Sequence, residues 1–158
     1  MTRDELAELL EYDPDTGVFT WKVNRGGCKA GDIAGSDHNR GYWQIRVKGC
    51  RYLAHRLAFL LMTGAMPAGD VDHINGNRAD NRWCNLRDVS RTLNNQNQRR
   101  AQKDNETGLL GVSPHRGRFK AQIRVNGKVR NLGLFDSPEV AHKVYLAHKR
   151  LMHPGNTL

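Results

Sequence analysis

Residues 118–125 read Arg-Phe-Lys-Ala-Gln-Ile-Arg-Val, and this run constrains the fold more tightly than any other part of the chain. Phe119, Ala121, Ile123 and Val125 alternate with Arg118, Lys120, Gln122 and Arg124. A period of two is the signature of a strand, here with one apolar face and one basic face. Asn126-Gly127 follows directly and is the preferred sequence for a type I′ hairpin turn. The chain should therefore return as a second strand over 128–135. A strand over 109–113 and a turn at His115-Arg116-Gly117 precede the pair. Ser137 is placed to cap a helix with Pro138 at its first position. Val140, Val144, Ala147 and Leu151 lie along one side of that helix at helical spacing. That side is expected to cover the apolar face of the sheet and to leave the basic face open.

Charge follows the same division. The net charge of +9 is unevenly spread over the 158 residues. Residues 1–90 hold 12 Lys/Arg and 12 Asp/Glu, whereas residues 91–158 hold 13 and 4. A basic half joined to a neutral half points to a polyanionic partner gripped mainly by the C-terminal part. No stretch approaches the roughly 18 apolar residues of a membrane span. Cys28, Cys50 and Cys84 are odd in number and form no C-x-x-C pair, so neither a disulfide framework nor a zinc knuckle is indicated. The expectation is a cytoplasmic protein with reduced cysteines and no membrane association.

The N-terminal part reads as a small sheet-plus-helix platform. A helix is expected over 4–12 with Thr2 as its cap, then a turn at Asp13-Pro14-Asp15-Thr16-Gly17. Strands follow over 18–23 and 42–48, separated by a Gly-rich loop over 24–40. A mostly buried helix over 52–63 is ended by Gly64. Arg46, Lys48 and Arg51 sit near the hairpin turn at Gly49 and suit contacts to the backbone of a polyanion.

From Val71 the order is strand, loop, strand, helix: 71–74, 75–82, 85–89, and a helix from Ser90 to about Arg100. This segment gathers the parts needed to hydrolyse a phosphodiester. Asp72 offers a carboxylate to one divalent cation. His73 is an imidazole that titrates near neutral pH and can take a proton from water. Asn94 offers a neutral carbonyl oxygen from the helix, and Asn97, one turn on, competes for that role. One carboxylate and one amide leave positions for phosphate and water, as Mg2+ prefers. Asn85 is expected to hold the loop against the histidine. Residues 101–108 are polar and aperiodic and read as a linker.

Val-Asp-His-Ile-Asn-Gly-Asn at 71–77, Asp80-Asn81-Arg82, Asn85-Leu86-Arg87, Asn94 and Asn97 together resemble the HNH (ββα-metal) nuclease motif of phage and homing endonucleases. His55-Arg56-Leu57-Ala58-Phe59 resembles the helix that precedes it. The resemblance implies Asp72 and Asn94 as metal ligands, His73 as general base, Asn85 as the loop-holding asparagine, and cleavage of the 3′ O–P bond. Asn94 stands where many members carry histidine, which suits Mg2+ or Mn2+ over softer ions. Residues 107–154 resemble an AP2 DNA-binding domain through Gly111-Val112, the 117–124 run and Leu132-Gly133-Leu134-Phe135-Asp136-Ser137-Pro138. That likeness implies Arg118 and Arg124, then Lys120, Gln122, Arg116 and Arg130, as DNA contacts. Asn131 stands where plant members commonly carry Trp.

The expected architecture is thus α+β. A nuclease domain spans 1–100 with a ββα-metal core at about 71–100, a linker spans 101–108, and an AP2-like module spans 109–158. The expected activity is metal-dependent cleavage of double-stranded DNA, with one Mg2+ (or Mn2+), no small-molecule cofactor, and a monomer. Two rivals stand beside it: a DNA-binding regulator on an inactive HNH scaffold, and a low-specificity phage nuclease. Intact Asp72, His73 and Asn94 weigh against the regulator.

Overall fold

Short hairpins, each too small to bury a core alone, set the architecture of the computed structural model, which describes residues 1–38 and 40–157. The chain divides into two compact units, Met1–Arg91 and Thr92–Leu158. No helix is long and apolar enough to cross a membrane among the described residues.

The first unit opens with α1 (Arg3–Ala7), closed by a capping box in which Thr2 and Glu5 exchange hydrogen bonds. β1 (Leu10–Tyr12) then pairs antiparallel with β2 (Phe19–Trp21). The helix expected over 4–12 therefore stops early, because the Asp13–Gly17 turn folds Leu10–Tyr12 back onto β2 as a hairpin. β3 (Ser36–His38), β4 (Tyr42–Val47) and β5 (Cys50–Leu53) form a three-stranded antiparallel sheet. Lys48 and Gly49 both take positive φ at the β4–β5 turn, so Tyr52 and Leu53 belong to the sheet. Helix α2 accordingly begins at Ala54 and runs to Thr63, where Gly64 ends it in the left-handed conformation.

One core holds these pieces together: Leu6, Leu10, Phe19, Trp21, Ile45, Val47, Leu57, Phe59 and Leu60 are all buried. Val71 and Leu86 join it from the next hairpin, β6 (Asp70–His73) with β7 (Leu86–Val89). Helix α3 (Arg91–Gln96) follows β7, so the expected ββα order is present. It is shorter than the helix expected to Arg100, since Thr92 and its asparagines have weak helix propensity and the helix carries no buried side chain.

In the second unit β8 (Val112–His115), β9 (Arg118–Val125) and β10 (Lys128–Phe135) form an antiparallel sheet in the order β10-β9-β8. Asn126 and Gly127 both have positive φ, as a type I′ turn demands. The first strand starts at Val112 and not at Leu109, because Gly111 takes φ +77 and interrupts the extended backbone. A Cβ on Gly111 would lie 2.1 Å from the Tyr145 ring, so only glycine lets α4 (Pro138–Met152) approach here. Ser137 caps α4 as expected, with Pro138 in the first turn. The buried stripe of α4 is Ala141, Tyr145 and Lys149. Val140 and Leu151, assigned to the covering side from their spacing, are exposed. Apolar spacing misled because the aliphatic stem of a lysine packs as well as a small apolar residue. The contact division falls after Arg91, upstream of the 101–108 segment expected as a linker. That segment is bonded into the second unit: Asn105 donates to the Val112 carbonyl and accepts from Thr107.

Candidate active site

The β6–β7 register decides which side chains meet. Asp72 lies opposite Arg87, and His73 opposite Leu86. Residues directly opposed in an antiparallel pair share a face. Nε and Nη2 of Arg87 both donate to Oδ2 of Asp72, at 2.9 and 2.7 Å. The Asp72 carboxylate is buried, so it has a cationic partner at close range within the same hairpin.

His73, the next residue, points to the other face and is 4% exposed. Its Nε2 lies 3.3 Å from Oδ1 of Asn81. Its ring meets that of His55 edge-on at 5.0 Å and that of Tyr42 at 6.0 Å. Burial lowers the His73 pKa, against the opposing pull of Asn81, Asp72 and Asp80. His55 is pushed further, to about 3, by burial and then by the positive charges of His73 and Arg56. Both rings are therefore held toward the neutral form.

The loop between the strands is fastened by its own polar groups. Asn85 is buried; its Oδ1 accepts from the Asn75 backbone N–H and its Nδ2 donates to the Asp80 carbonyl. Its backbone carbonyl accepts from Ile74. Asp80 pairs with Arg82 at 2.7 Å, and that bond holds its carboxyl at about 2. The loop is also pinned to the first turn of the unit. Tyr12 donates its hydroxyl to the Asn81 carbonyl at 2.7 Å, and Trp83 N–H donates to Pro14. Gly17, at φ +75, stands where a Cβ would lie 2.5 Å from the Asn81–Arg82 backbone. The far N-terminal turn thereby sets where Asn81 can reach.

Asn85 sits at the loop as expected, but the hydrogen bond to His73 comes from Asn81. Asp80-Asn81-Arg82 was legible only as part of the motif, with no role attached. Arg87 likewise stands in the motif without a role, although the hairpin register sets it opposite Asp72.

Asn94 and Asn97 fall in the second unit. Asn94 lies on α3, half-buried, and its carbonyl accepts the Asn97 N–H. Asn97 lies just past the helix, buried, with its amide oxygen accepting from the Thr157 hydroxyl. The competing ligand candidate is thus engaged in closing its own unit.

On the C-terminal sheet, Ala121 and Ile123 are buried with α4 packed against their strand. Lys120, Gln122 and Arg124 alternate with them and so lie on the opposite face with Arg118. Arg118 donates to Asp136 at 2.7 Å and to the Leu134 carbonyl. Arg116 is in the β8–β9 turn, at φ 47. Arg130 lies opposite Ile123 and is not brought together with Arg124, which lies opposite Val129.

The Asp72 carboxylate is an oxygen donor of the kind a hard divalent cation takes, and the group set against it is the Arg87 guanidinium. No group of three or more His, Cys, Asp or Glu side chains is placed to hold a metal among the described residues. An HNH endonuclease family model matches residues 52–96, from the end of β5 to the end of α3. No curated protein matches the chain, and no solved structure does.

Proposed function

We propose that the chain is a metal-dependent DNA endonuclease of the phage or homing type, with its nuclease centre on the β6–β7 hairpin. The observation that carries this reading is a buried Asp72-His73 pair within the segment matched by HNH endonucleases. A hairpin that served only as scaffold would gain nothing from burying an acid and an imidazole side by side, since each costs desolvation energy. Asp72 would hold a divalent cation, Mg2+ or Mn2+. When bound, such an ion neutralises charge building on the scissile phosphate.

The chain's own residues have these roles. His73, neutral through burial, accepts a proton from the attacking water at an imidazole nitrogen. Asn81 fixes its ring, and His55 and Tyr42 limit its rotation. Asn85 closes the loop that presents the ring. The basic face of β9, with Arg118, Lys120, Gln122 and Arg124, supplies affinity for duplex DNA in the manner of an AP2-like module over 109–158. Arg116 sits at the rim of that face, and Arg130 is a weaker candidate contact by its register.

Nicking of supercoiled plasmid in Mg2+ tests the reading. Wild type should cleave, and His73→Ala should lose cleavage by about 100-fold or more while still binding DNA. Asp72→Ala should lose the metal-dependent activity. A wild type that binds DNA but never nicks would favour a regulator built on an inactive scaffold.

A further inference from the structure

Beside the β3–β4–β5 sheet the first unit carries an open groove of about 610 Å3 that the proposed reaction does not use. Arg25, Arg46 and Arg51 line it, and no carboxylate does among the described residues. Arg46 and Arg51 are cross-strand partners, so both side chains leave the same face of the sheet, and both are exposed. Like charges placed directly opposite destabilise a sheet. An arrangement that costs stability when empty is relieved by an anion bound between the two guanidiniums.

The third cation is already held in place. The Arg25 guanidinium lies 4.5 Å from the centre of the Trp21 ring, which is itself buried in the core. Stacking orients the guanidinium before any ligand arrives and reduces the ordering cost of binding. Lys48, expected from the sequence to act with Arg46 and Arg51, is not part of the groove. It pairs with Glu5 at 2.8 Å.

We propose that this groove is a second DNA-contact site, in which Arg25, Arg46 and Arg51 grip backbone phosphates without reading bases. Planar guanidiniums match phosphate oxygens two at a time. With three guanidiniums and no carboxylate in its lining among the described residues, the open groove suits an anionic run of phosphates. The inference takes its ligand from the nuclease reading, but its test uses binding alone.

Fluorescence anisotropy on a labelled duplex, with full-length chain in EDTA across a salt series, tests it. Arg46→Gln/Arg51→Gln should weaken binding about 10-fold or more at moderate salt and reduce the salt slope by roughly 2, about one per lost phosphate contact. Lys48→Gln, which removes the same kind of charge outside the groove, should leave the slope nearly unchanged. A double variant with wild-type slope overturns the groove and leaves the nuclease centre untouched. Equal losses in Lys48→Gln and in Arg46→Gln reduce the effect to net charge and overturn it as well. A wild type that binds no duplex DNA would defeat both readings, and tighter binding of an RNA duplex would overturn the DNA assignment alone.

Discussion

Replacing Arg87 with Met removes the guanidinium from a nearly buried carboxylate while keeping most of the side-chain volume. Asp72 has a side chain 7% exposed and Arg87 one 27% exposed, with both donor nitrogens on one oxygen at 2.9 and 2.7 Å. Exposed pairs contribute about 0–1 kcal/mol, and breaking a fully buried one costs about 3–5 kcal/mol. Arg87 lies between these limits, closer to the buried one, so about 2–3 kcal/mol is expected for Arg87→Met. Urea unfolding in EDTA at neutral pH measures it. Asp72→Asn and the double variant complete a cycle whose coupling should be about 2 kcal/mol. The loss should also persist when salt is raised, since a desolvated pair is screened little. A cost below about 0.5 kcal/mol, or one erased by salt, would mean that the pair behaves as a surface contact and that the buried charge is stabilised elsewhere.

Two further outcomes follow from titrating groups. Burial, and then Arg99, lowers the pKa of Lys149 to about 8, so the folded chain holds that proton less tightly than the unfolded one. The associated cost is present at neutral pH and is relieved as pH rises from about 8 toward the ordinary lysine value, a gain of roughly 2–3 kcal/mol. Lys149→Met should lose that rise in urea stability, and parallel wild-type and variant curves would refute it. His73 has a lowered pKa, so plasmid cleavage should hold as pH falls below the ordinary histidine range. An acid limb at or above pH 6.5 would contradict a base held neutral by burial.

Local signals were read well where one short segment contains the whole cause. Asn126-Gly127, the Thr2 cap, the Ser137-Pro138 start and the Gly64 stop each depend on two to four neighbouring residues, and the structure bears them out. Errors fell where a distant partner decides. Leu10–Tyr12 continues an amphipathic helical pattern, yet Phe19–Trp21 captures it as a strand. The buried face of α4 could not be read from apolar spacing, because Lys149 buries its stem and donates its ammonium to the Gln98 carbonyl, a partner far away in sequence. Asp72 and His73 were visible through their chemistry, whereas Asn81 and Arg87 depend on loop closure and register.

That difference also explains how so small a hairpin can present a reactive pair. β6 and β7 place only Val71 and Leu86 in the apolar core, far too little to fix side chains at hydrogen-bonding precision. Polar bonds supply the rest. Asn85 ties the loop at Asn75 and Asp80, Tyr12 ties it to the rest of the unit through Asn81, and Arg87 holds Asp72 from the opposite strand. Polar groups that are buried are costly to leave half satisfied, so the two buried asparagines, Asn81 and Asn85, are specified by their partners and not by their polarity. Asn81 and Asn85 are therefore the structural consequence of building a site on a loop with almost no core beneath it.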